Sequence, residues 1–88
     1  MHDFHLHPEF YNQPILLTEE EKKDPSSVFK RFFEDVKLVE VRIHLHNLLE
    51  VALTTPNTIY DNVIERDVLV CFIKNIEKMI EGSYKLLS

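Results

Sequence analysis

Sixteen residues near the middle of the chain, LVEVRIHLHNLLEVAL at positions 38–53, constrain its fold more than any other stretch. Leu38, Val41, Leu45, Leu48, Leu49, Ala52 and Leu53 fall within roughly 140° of one another on a helical wheel, a broad core stripe. Val39, Ile43 and Val51 lie off that stripe, so the helix is apolar on more than one side. Such a helix is either sandwiched between two elements of its own chain or set against a second chain. Arg42 lies about 40° from Leu38, inside the stripe, where a charge needs a partner.

The flanking segments supply two more helices. Asp24-Pro25 is a start signal, with Asp24 as N-cap and Pro25 at the first helical position, where a missing N–H costs nothing. A first helix follows over about 25–35, with Val28, Phe29, Phe32, Phe33 and Val36 at helical spacing. Its stripe is out of phase with that of 38–53, which predicts a short turn at Val36–Lys37; a continuous bent helix is the alternative. Pro56, among Thr54, Thr55, Asn57 and Thr58, marks the clearest loop. A last helix is expected over about 60–81, closed by Gly82, with Val68, Leu69, Phe72, Ile73, Ile76, Met79 and Ile80 as its stripe. Ahead of these, Thr18 and Glu21 have capping-box spacing for one helical turn through Lys23.

Residues 1–17, MHDFHLHPEFYNQPILL, have neither period, and Pro8 and Pro14 break helices. Their apolar residues, among them Phe4, Leu6, Phe10 and Tyr11, suit an extended arm docked on a hydrophobic groove, its own or a partner's. The expected fold is therefore all-α: a small three-helix bundle of an antiparallel long pair plus a shorter first helix. The arm covers 1–17 and the helical domain 18–88.

Composition excludes more than it identifies. A chain of 88 residues is one small domain, marginal unless it packs well or oligomerises. The net charge is −5, and residues 1–24 hold six acids against two lysines. Phosphate neutralisation dominates nucleic-acid binding, so an acidic chain without a basic stripe is a poor nucleic-acid partner, and equally poor for an anionic membrane. A single cysteine, Cys71, allows no internal disulfide and suits the cytoplasm. No basic run followed by an apolar run opens the chain, so no secretory signal is expected. The only glycine is Gly82, which rules out glycine-rich phosphate loops and dinucleotide fingerprints.

Three groups of residues are candidates for chemistry. Arg42 and Glu65 each fall inside a core stripe, and a structural ion pair setting helix register is the favoured reading over a polar site. His2, His5 and His7 are weak candidates for a metal; on an extended chain His5 and His7 share a side, but no cysteine cluster or glutamate-rich face completes a site. His44 and His46 are about 200° apart on a helix and cannot hold one ion. Cys71 sits mid-helix, with no helix N-terminus to lower its pKa, and reads as a boundary residue. No catalytic residue and no cofactor are expected.

The expectation is a non-enzymatic helical protein–protein interaction module, homodimeric or bound to another protein. Val39, Ile43, Val51, Phe4, Leu6, Phe10 and Tyr11 are the interface candidates. A small-molecule- or metal-binding regulator is the alternative. A DNA-associated regulator is disfavoured by the charge.

Overall fold

The computed structural model describes residues 8–87. All regular structure among them is helical: α1 (Pro8–Tyr11), α2 (Glu19–Lys23), α3 (Ser26–Asp35), α4 (Leu38–Thr54), a 3-10 turn (Ile59–Asp61) and α5 (Val63–Leu87). The two short helices α1 and α2 precede the three that the apolar periods predict. The expected extended arm is helical over Pro8–Tyr11, where proline occupies the first helical position without losing a bond.

Local chemistry sets each boundary. At α2 the Glu21 N–H donates to the Thr18 hydroxyl at 3.2 Å, and the Thr18 N–H donates to the Glu21 carboxylate at 2.8 Å. The α3–α4 break falls at Val36 and Lys37, both with extended backbone. There the Lys37 N–H donates to the Glu40 carboxylate at 3.1 Å, the return half of a capping box; lysine has no acceptor for the other half.

After α4, Thr54 and Thr55 turn their hydroxyls back onto the Glu50 and Val51 carbonyls. Asn57 then adopts φ 61°, a left-handed conformation that asparagine tolerates, and donates its N–H to Asp61 at 2.9 Å. The chain does not enter α5 at Tyr60, as its period predicts. Thr58 caps a separate 3-10 turn, and Asn62 caps α5 by accepting from the Ile64 and Glu65 N–H groups at 2.9 and 3.2 Å. Nor does α5 stop at Gly82, which has no positive φ, so the helix runs on to Leu87. Tyr84 on that extension meets Phe33 of α3 edge-to-face, ring centroids 5.3 Å apart.

The contacts run from α5 to α3, to α4 and to the 3-10 turn, and from α2 to α3. Between α2 and α3 an ion pair joins Glu21 and Arg31 at 3.6 Å. The result is a slab of 41 × 35 × 18 Å with a radius of gyration of 15.8 Å, against about 12 Å for a compact chain of this length. Val41, 6 % exposed, is the one buried hydrophobic residue among those described.

Candidate functional site: an uncovered apolar face

The α4–α5 contact has two edges of opposite character. Along one edge, Arg42 is ion-paired with Glu81, and the His46 Nε2–H donates to Glu77 at 2.6 Å. Four residues forward on α4 correspond to four residues back on α5, so the two pairs form a ladder. This corrects the expected partner of Arg42. Glu65 lies 16 residues from Glu81, about 24 Å away along α5, beside Tyr60, Val68, Leu69 and Phe72. The loop and 3-10 turn push the reversal point later than the polar cluster at Thr54–Thr58 suggests, which slides α5 past Arg42. The pair is also not buried. The Arg42 and Glu81 side chains are 42 % and 48 % exposed, so the ladder orients α4 against α5 at little energetic gain. No ion pair joins Glu50 to Arg66 among the described residues.

The other edge is apolar and open. On α5 the covered positions are Leu69, Ile73, Ile76 and Ile80, while Val68, Phe72 and Met79, rotated from them by about 100°, are 58, 57 and 61 % exposed. The predicted stripe contained both sets, but α5 meets only enough of its own chain to cover one. On α4 the counterpart is Leu48, expected in the core stripe yet 65 % exposed, with Val51 at 62 % beside it. Both lie on the side of α4 away from Arg42 and His46 on the helical wheel. Val39 and Ile43, at 57 and 51 % exposed, fall instead toward the ladder side, so the three candidates on α4 divide between two faces.

Helix lengths explain why this face is open. α5 spans about 37 Å and α4 about 25 Å, but α3, the only other helix longer than one and a half turns, spans about 15 Å. α3 lies over the C-terminal half of α5, where Phe29, Phe32 and Phe33 meet Met79, Ile80 and Ser83 around a cleft of about 220 Å³. In the N-terminal half, Val68 and Phe72 border Tyr60 of the 3-10 turn and stay 58 and 57 % exposed.

The remaining candidates do not assemble into chemistry. His2, His5, His7, Phe4 and Leu6 lie outside the described residues. Phe10 and Tyr11 stack edge-to-face on each other at 5.1 Å, with Phe10 53 % exposed. Leu16 is 90 % exposed. Among the described residues no three histidine, cysteine or acidic side chains could hold a metal ion. Cys71 is exposed, and no described helix is long and apolar enough to cross a membrane.

The Thr18 N–H donated to the Glu21 carboxylate holds it below the usual glutamate range, with the Thr18 hydroxyl and Arg31 adding to the effect against some desolvation.

The ladder partners Glu77 and Glu81 and the cap Asn62 escaped the sequence reading. The ladder had a usable signal: Arg42 and His46 repeat at four residues on one helix, as Glu77 and Glu81 do on the other. No family model matches this chain, and neither the curated proteins nor the solved structures searched contain a match to it.

Proposed function

We propose that this chain is a non-enzymatic, cytoplasmic protein–protein interaction module that works as a homodimer. In this reading α4 and α5 form an antiparallel pair, α3 is the shorter third helix of the bundle, and a second copy covers the face that α3 leaves open. One observation carries the reading: the chain exposes far more surface than a compact monomer of its size, and large hydrophobic residues of α4 and α5 are among what it exposes. Its accessible surface is 7691 Å², about 2,300 Å² above the roughly 5,400 Å² of a compact 10.5 kDa monomer. A standard interface hides about 800 Å² per partner, and obligate homodimers hide more, so the excess is of the size a second copy removes. The exposed apolar residues Leu48 and Val51 of α4 and Val68, Phe72 and Met79 of α5 support an interface on that side.

The ion-pair ladder supports the antiparallel arrangement, because its pairs step in opposite directions along the two helices. Sedimentation equilibrium from low to high micromolar concentration tests the assembly. A species of twice 10.5 kDa is expected. A monomer persisting into the high micromolar range refutes the proposal.

A further inference from the structure

We propose that the two copies meet along their α5 helices, side by side and antiparallel, with the dyad passing beside Asn75. This rests on the homodimer reading and deepens it by naming the seam.

The first argument is spacing. Val68, Phe72, Asn75, Met79, Gly82 and Leu86 alternate at four and three residues, the spacing of a seam between two helices. All six are exposed in the single chain, Leu86 at 81 %, and form a strip rotated by about 100° from the covered positions. Packing within the chain accounts for Leu69, Ile73, Ile76 and Ile80 and touches this second stripe at Met79, on the rim of the α3 cleft, while leaving it exposed.

The second argument is the stripe's symmetry. Phe72 and Met79 flank Asn75 at three and four residues, so an antiparallel copy sets each Phe72 ring against the partner's thioether. The two Asn75 carboxamides then meet at the dyad. A carboxamide both donates and accepts, so the pair satisfies itself, and it penalises any register that buries one amide against an apolar side chain.

The third argument sets the direction. α3 covers only the C-terminal half of α5 and leaves Phe29 and Phe32 exposed at 37 and 41 %. Antiparallel pairing brings this end of each copy over the other's open half, where Val68 and Phe72 are exposed. Parallel pairing puts both α3 helices at one end and leaves both open halves in water.

The test is disulfide trapping in a Cys71→Ser background. Phe72→Cys and Met79→Cys chains are oxidised separately and as a mixture, with circular dichroism confirming that each is helical. The antiparallel seam predicts a disulfide between the two different chains in the mixture and little from either alone. Like positions then sit about 10 Å apart along the axis, too far to bridge. Asn75→Cys, which alters no apolar contact, is expected to link to itself. Self-linking of Phe72→Cys refutes the direction. A dimer by sedimentation that traps at none of these positions refutes the seam while leaving the homodimer intact. A monomer by sedimentation removes both.

Discussion

Phe72→Ala should separate folding from the proposed dimerisation, because Phe72 is only partly buried within its own chain. Its side chain is 57 % exposed in the single chain. With about 200 Å² of accessible surface on a phenylalanine, some 115 Å² remain to be covered by a partner. At about 25 cal/mol/Å² that is about 3 kcal/mol per chain and about 6 kcal/mol per symmetric dimer. Association also costs side-chain ordering, and the free chain shields some of this area, so about half is a safer expectation. Phe72→Ala should therefore weaken dimerisation by between about 10² and 10⁴-fold, while costing the isolated chain only about 1–2 kcal/mol. Val41→Ala is the complementary control. Val41 is 6 % exposed and already buried within the chain, so its truncation should lower stability by about 1–2 kcal/mol with no specific effect on association. Sedimentation equilibrium gives the dimer Kd of each variant. Thermal melts at two protein concentrations then show whether the lost stability depends on concentration, as it must when association is lost. A Phe72→Ala chain that dimerises like the wild type would refute the assignment of the apolar face.

Other perturbations read the remaining features. Arg42→Met should cost less than about 1 kcal/mol in chemical denaturation, close to Lys30→Met, because both partners of the Arg42–Glu81 pair are well exposed; a loss of several kcal/mol would mean the charge is buried. Asn62→Ala removes the side-chain cap of α5 and should cost about 1 kcal/mol in the same assay, whereas Asn62→Asp, which keeps the acceptor, should cost little. Glu21 has a folded pKa below its unfolded one, so its contribution is complete above the ordinary glutamate range and is lost as the pH falls through the lowered value. Melting-temperature profiles of wild type and Glu21→Gln should accordingly converge toward acid; a gap that widens there contradicts the capping-box origin. Gly82→Ala should stabilise the single chain by about 0.5–1 kcal/mol, read in melts at concentrations too low for association, since the position is helical and nothing in the chain lies within 4 Å of an added methyl group.

Much of the local structure was legible because it depends on near neighbours. The all-α class follows from apolar residues at helical spacing across 25–81 and from a single glycine in 88 residues. The Thr18–Glu21 box was readable for the same reason, its groups being three residues apart. The ends of α5 were harder. Thr58 and Asp61 compete with Asn62 to cap the same stretch, and only the realised turn, with Asn57 at positive φ, assigns them. Gly82 is an equally good helix terminator or helix interior residue by sequence. Contacts from the helix beyond it, such as Tyr84 on Phe33, accompany its continuation.

The sequence alone determined which faces of the helices are apolar, because a side chain's angle on a helix depends only on its position. It could not determine how much of each face the chain covers. That depends on where α3 docks and on how far α5 slides past α4, both set by contacts between residues distant in sequence. The slide took Arg42 from Glu65 to Glu81, and the short reach of α3 left Val68 and Phe72 in water. Tertiary structure thereby turned one broad stripe on α5 into two: one packed against the rest of the chain and one left exposed.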